Sequence, residues 1–202
     1  MSDPNCAAHF HHRLAGLRAA LSSDVRAFLA KSPENVMLGD SLHERISAFF
    51  SPDVFSVFLY RLAHFFHARG WRRFAGVVAW QNSLLHKCCI TPQSCIGPAF
   101  RLPHPAGIVF HGRAGRGLRL YSLSVCMPAA GIGGPVENGP ILGDHVSVGA
   151  HACLLGPISI PSDTTIAQKV RLDAGVPATG IVAGRTRCHI RPRAAPAEVG
   201  LP

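Results

Sequence analysis

The chain has 202 residues, 48% apolar and only 15% charged: room for one sizeable core or two small ones, and too apolar for intrinsic disorder. Its 20 glycines and 16 prolines follow no Gly-X-Y period, which excludes collagen. Lys and Arg number 20 against 11 Asp and Glu, a net charge of +9 that points to an anionic partner: nucleic acid, a membrane surface or an anionic cofactor.

From Met1 to Arg13 there is no basic-then-apolar order of a secretory signal. No apolar run reaches the ~18 residues of a spanning helix. The best attempt, Phe74 to Leu85, is interrupted by Gln81 and Asn82 and preceded by Arg72 and Arg73. A cytoplasmic protein with no membrane partner is expected. Seven cysteines without scaffold spacing suit that compartment. His9, His11 and His12 invite a metal reading, but no paired Cys/His spacing supports a zinc site, and no metal is expected.

Residues 1–89 hold four glycines and three prolines, whereas 90–202 hold sixteen and thirteen, so the first part should be helical and the second not. Leu14, Leu17, Leu21, Val25 and Leu29 recur at helical steps and predict an amphipathic helix stopped at Ser32-Pro33. Ser41 to Glu44 reads as a capping box that opens a short helix. Ser51-Pro52 opens another, with Gly70 as its C-terminal cap, and a further helix covers roughly 71–88.

A six-residue period then takes over. Ile90, Ile96, Leu102, Ile108, Ala114, Leu120 and Cys126 are spaced by six, and so are Leu142, Val148, Leu154, Ile160, Ile166, Leu172 and Ala178. This period fits neither a helix face nor strand alternation. It fits a parallel β-helix of hexapeptides, three to a triangular coil, with each aliphatic marker pointing inward. An irregular β-sandwich with accidental spacing is the alternative. Cys126 and Leu142 are sixteen apart, out of phase, so 128–140 is a loop leaving the solenoid. The expected fold is mainly β: a left-handed parallel β-helix preceded by an α-helical N-terminal domain. Its divisions are helical residues 1–89, β-helical residues 90–187 and a flexible basic tail, 188–202.

Several segments resemble the hexapeptide-repeat acyltransferases, in particular the serine O-acetyltransferase-like branch. They are Tyr60-Arg61 with His64 and Gly70; Ile90-Thr91-Pro92, Ile96-Gly97 and Leu102 through His104 to Gly107-Ile108-Val109; Pro140 to Gly156; and Asp173 to Pro177 followed by Gly184. The resemblance implies that His104 is a general base, taking the proton of a hydroxyl or amine as it attacks the thioester of acetyl-CoA. It implies backbone contacts from Gly149 and Ala150 to the pantetheine arm, with Gln168 nearby. Arg171, Arg185 and Arg187 are the candidates for the cofactor's phosphates. Asp40, with Asp53 as runner-up, Glu137 and Asn138 are the candidates for the acceptor. A homotrimer or dimer of trimers is implied, since the family's site lies between neighbouring β-helices.

The chain departs from the family pattern in places. Cys89 stands where a carboxylate often orients the histidine, and Pro103 where an Asp often precedes it. Asn138-Gly139 replaces an Arg-His pair that helps to bind the amino-acid carboxylate. The ending at Leu201-Pro202 lacks the terminal Ile associated with binding the sulfhydrylase of cysteine synthesis, and no such complex is expected. The expected function is acetyl-CoA-dependent O- or N-acetylation of a serine-like or hydroxy-amino acid, a siderophore precursor or a sugar. A catalytically degenerate scaffold or regulator is the alternative. Nucleic-acid binding rests on charge alone, with no recognisable motif. A γ-carbonic-anhydrase-like metal enzyme would draw on His104, His145 and His151, whose spacing fits the acyltransferase pattern better.

Overall fold

The computed structural model describes residues 14–29, 50–173, 175, 179–183 and 189–192. The expected capping box at Ser41 and the marker Ala178 lie outside these residues. Helix α1 runs Leu14–Leu29, α2 Pro52–Ala68 and α3 Arg72–His86. Ser51 caps α2 by accepting the Val54 N–H, and Pro52 fills the first turn, where its missing N–H costs nothing. The helix closes on Gly70 at φ +83°, with the Trp71 N–H returning to the Phe66 carbonyl at 2.9 Å.

The buried side of α1 is not the stripe that hydrophobicity alone picks out. Leu14 is 61% exposed, while Leu17, Ala20 and Asp24 are buried. Asp24 is tolerated inside because Arg61 of α2 meets it, Nε to Oδ2 at 3.0 Å, and the Phe100 N–H donates to Oδ1 at 2.8 Å. Arg61 also donates to the Ile96 and Gly97 carbonyls. Tyr60 donates its hydroxyl proton to the Ser94 carbonyl and accepts the Ile96 N–H. His64 sits 2.9 Å from the Pro92 carbonyl. The Tyr-Arg-x-x-His motif thus docks the helices onto the first coil of the β-helix.

Beyond α3 the chain winds through short strands: β1 Cys88–Ile90, β2 Cys95–Ile96, β3 Ile108–Phe110, β4 Arg113–Ala114, β5 Arg119–Leu120, β6 Val125–Met127, β7 Ile141–Leu142, β8 Ser147–Val148, β9 Cys153–Leu155, β10 Ser159–Ile160, β11 Thr165–Ile166, β12 Arg171–Leu172, β13 Gly180–Ala183 and β14 His189–Pro192. They stack into three sheets, β1-β3-β6-β9-β12, β2-β4-β7-β10 and β5-β8-β11-β13-β14, the three faces of a prism. All pairings are parallel except β13 with β14. Every described marker of the six-residue period is at most 4% exposed. The core is one aliphatic column shared by successive coils.

The period hides a shift in register. Arg113 pairs with Cys95 and Arg119 with Arg101, each 18 residues on, one full coil. On the first face Phe110 pairs with Ile90, 20 residues on, and Cys126 with Phe110, only 16 on. Ile108 is buried, but the residue in register with Ile90 and Cys126 is Phe110. The corner after Leu102 holds two extra residues, and the next corner, before Ala114, gives them back.

Within the segment 188–202, the described residues His189–Pro192 form β14, which returns antiparallel along β13, Ile181 opposite Arg191 and Val182 opposite Ile190. Without it β13 would leave an unpaired sheet edge, and Pro192 at the strand end sits where a missing N–H is tolerated.

Candidate active site

The enlarged corner carries His104. From Leu102 to the in-register Phe110 is eight residues, where later coils take six to turn from the third face to the first. Flanked by Pro103 and Pro105, His104 adopts φ +55°, and its carbonyl accepts the Ala106 N–H and the Ser122 hydroxyl, both at 2.7 Å. Gly107 follows at φ +66°, where an added Cβ would lie 2.4 Å from Leu123 Cδ2. The backbone is therefore pinned while the imidazole is exposed and makes no hydrogen bond to any described residue. The left-handed backbone is itself the ordinary corner of this fold, recurring at Ala99, Leu123, His145, His151, Asp163 and Lys169; what sets the His104 corner apart is its two extra residues.

Three further candidates share this edge of the prism. The edge is laddered by Leu123 N–H to the Ala106 carbonyl, His151 N–H to Ser122 and Lys169 N–H to Ala150. Gly149-Ala150 and Gln168 therefore stand in line with the His104 corner, and exposed Arg171 follows at the start of β12. At ~4.8 Å per coil, Gln168 lies roughly 14 Å from the His104 corner. Gly149 donates its N–H to the Ile166 carbonyl at 2.8 Å and accepts from Ala152 at 3.1 Å, so its backbone is engaged inside the fold. The Ala150 N–H donates to no described residue.

Glu137 and Asn138 lie elsewhere. They form a short 3-10 turn, Val136–Asn138, in the loop that leaves between the first and second faces. Both are exposed, and Glu137 pairs with Arg113 of β4 at 3.3 Å. The loop is held by a residue that sequence reasoning missed, His111. It is 3% exposed, with Nδ1 2.6 Å from Thr91 Oγ1 and Nε2 2.9 Å from the Gly134 carbonyl. A carbonyl only accepts, so Nε2 carries the proton and Thr91 donates to Nδ1. Burial pushes His111 below the ordinary imidazole range, with the Gly134 carbonyl and Glu137 acting against it. The signal in the sequence was a polar ring directly after Phe110, in the shortened corner.

Cys89 occupies the outer side of β1 in register with Val109, half-buried. Burial pushes the inward thiols Cys88, to about 12, and Cys126 upward, which makes both inert. Asp53, in the first turn of α2, lines a groove with Phe100, Arg101, Leu102 and Pro103, directly before His104. Asp40, Arg185 and Arg187 lie outside the described residues. His145 turns between the second and third faces and His151 on the His104 edge. Among the described residues no group of three or more His, Cys, Asp or Glu is arranged to hold a metal. None of their helices is long and apolar enough to cross a membrane.

A triangular parallel β-helix of hexapeptides is an architecture of hexapeptide-repeat transferases. The serine acetyltransferase of Mycobacterium tuberculosis is 30% identical over 167 residues, 82% of this chain and 69% of that protein. The chain belongs to the serine acetyltransferase family and is an acyltransferase. No family profile matches it. Among solved structures, the Neisseria gonorrhoeae serine acetyltransferase superposes with a TM-score of 0.77 at 19% identity, over 93% of this chain and 73% of that one. The soybean enzyme, complexed with serine, gives 0.76 at 21%, over 87% and 69%. The fold is the left-handed parallel β-helix of these enzymes, with a helical N-terminal part.

Proposed function

We propose that this protein transfers the acetyl group of acetyl-CoA to the hydroxyl of serine or a close hydroxy-amino acid. The observation that carries the reading is His104: an exposed imidazole, unbonded within the described residues, on a pinned corner that breaks the coil register. As general base, a ring nitrogen takes the acceptor's hydroxyl proton while the oxygen attacks the thioester carbon. The C–S bond then breaks, and the proton passes from the imidazolium to the CoA thiolate. The ester product and free CoA leave.

Acetyl-CoA would lie along the His104 edge, with the Ala150 N–H, Gln168 and Arg171 as its contacts. Arg185 and Arg187 remain candidates for its phosphates. Asp53, which shares a groove with Pro103, is a candidate among the described residues to meet an acceptor ammonium, and Asp40, outside them, remains one too; Glu137 and Asn138 would act from a neighbouring copy, because their edge is not that of His104. A homotrimer or dimer of trimers supplies that neighbour. In its support, Trp71, Phe74, Val77, Trp80, Leu84 and Leu85 along α3 are each more than half exposed, an apolar face that monomers rarely leave open. The helical and β-helical parts, 1–89 and 90–187, work as one unit, joined by Arg61 and Tyr60.

The test is release of free CoA from acetyl-CoA with L-serine. His104→Ala should slow turnover by about 10²–10⁴-fold while CoA still binds. An unchanged rate overturns the reading. Half-buried Cys89, where the family places a carboxylate, favours one second reading, a degenerate scaffold, for which CoA binds and no acceptor is turned over.

A further inference from the structure

Two edges of the prism treat the same backbone group differently. In the regular corners the residue in the left-handed conformation donates its N–H to the coil before. His145 donates to the Arg116 carbonyl and Asp163 to Asp144 on the second-to-third edge. His151 donates to Ser122 and Lys169 to Ala150 on the His104 edge. Arg116, Asp144, Ser122 and Ala150 are therefore equivalent, each standing just before a left-handed residue. Each has an N–H that neither strand pairing nor this ladder takes up.

On the second-to-third edge the next coil caps these amides. The Arg116 N–H donates to Asp144 Oδ1 at 2.7 Å, and the Asp144 N–H to Ser162 Oγ at 2.9 Å. On the His104 edge the Ser122 and Ala150 N–H groups donate to no described residue. For Ser122 the cause is plain: the residue of the next coil that would reach back is Ala150, whose methyl accepts nothing. The Ser122 hydroxyl is spent elsewhere, donating to the His104 carbonyl at 2.7 Å, which seats Ser122 on the corner that carries the imidazole. An open amide at a position capped on the other edge is a hydrogen-bond donor left for a ligand.

We propose that the Ser122 N–H is the oxyanion donor of the site, holding the carbonyl oxygen of the thioester while His104, one coil away, takes the acceptor's proton. The proposal rests on the acetyl-transfer reading above and adds the group that answers the charge formed on the thioester. Acetyl-CoA laid along this edge from His104 presents first the thioester carbonyl and then the amide carbonyls of its arm. Two open N–H groups one coil apart, at ~4.8 Å, match those acceptors in that order. Attack by the acceptor oxygen moves the carbonyl electron pair onto the carbonyl oxygen, where the Ser122 N–H bonds it. The pair returns as the C–S bond breaks and the thiolate leaves. Ala150 then matters for what it lacks: a side-chain acceptor there would occupy the amide that the thioester needs.

Ala150→Ser supplies the missing cap, as Ser162 does for Asp144. On the intact wild type, exchange of the Ser122 amide should be fast, slowed by acetyl-CoA and not by CoA; in Ala150→Ser it should be slow without ligand. CoA release with L-serine should fall about tenfold or more in Ala150→Ser, while CoA affinity changes far less. Ala150→Cys, similar in size but a poor acceptor, should lose clearly less turnover than Ala150→Ser. A Ser122 amide already slow in the free wild type overturns the proposal. Equal slowing by CoA and acetyl-CoA overturns it too, and assigns the amide to the arm. So does a wild-type rate in an Ala150→Ser variant whose Ser122 amide is protected, or an equal loss in Ala150→Cys, which would make bulk the cause. If Ala150→Ser does not fold or leaves Ser122 exchanging fast, the comparison of acetyl-CoA with CoA on the wild type decides alone. A wild type whose Ser122 is protected by acetyl-CoA only, but which turns over no acceptor, keeps the subsite and sinks the acetyl-transfer reading.

Discussion

Two places break the six-residue grammar of the β-helix, and they are built in opposite ways. At the His104 corner the backbone is pinned by bonds to Ala106, Ser122 and Lys87 while the side chain is left exposed. In the loop 128–140 the exposed chain is long, and a buried side chain, His111, does the holding through Thr91 and Gly134. The general-base role proposed for His104 needs a free side chain on a rigid backbone. A segment that only has to present residues at the right place can be tied from beneath. The regular coils between them fill the core and offer no such freedom.

The comparison breaks most readily at the support of the corner. Asp24 caps the Phe100 N–H and neutralises Arg61 just before the His104 turn. Burial raises the Asp24 carboxyl above its ordinary value against the pull of Arg61 and Phe100. Asp24→Ala would strand a buried guanidinium, and unfolding in urea should show a loss of about 3–5 kcal/mol. A loss below about 1 kcal/mol would mean that the corner stands without it.

A smaller effect should follow at the loop. His111→Gln should cost about 1–2 kcal/mol and speed amide exchange from Gly134 to Asn138, with exchange at Ala106 and Gly107 unaltered. Its pH dependence has a definite sign. The folded value lies below the free value of 6.5, so the unfolded chain binds more protons as pH falls through 6.5. The neutral ring's contribution is complete above 6.5 and is lost below it, toward the folded value. Urea midpoints at about pH 7.5 and pH 5 should therefore differ less in His111→Gln than in the wild type. An equal difference would show that this ring does not couple to folding. The smallest effect belongs to Glu137→Gln, which removes a pair whose carboxylate is 61% exposed. It should cost under about 1 kcal/mol by thermal melting, and a larger loss would make Glu137, rather than His111, the anchor of the loop.

Much of this was legible residue by residue. The period named the buried column, and Ser51-Pro52 and Gly70 marked both ends of a helix, because caps and aliphatic spacing act locally. Ile108 shows the limit: it is buried as its spacing requires, but Phe110 holds the register, because a two-residue gain at one corner and loss at the next cancel in the count. Leu14 shows another, since an apolar stripe does not reveal that Asp24 has a partner on α2. The β14 return was hidden by a composition of proline and arginine that reads as tail, although pairing depends on the edge it meets.

By itself the sequence determined the solenoid, the helical part before it and the histidine that resembles a catalytic base, because inward aliphatics and corner residues repeat at a spacing that only one architecture satisfies. The tertiary structure decided which residues share an edge with His104, which loop residues do not, and which corner amides stay uncapped there. Coils bring together residues one turn apart, and small shifts at the corners change which residues those are.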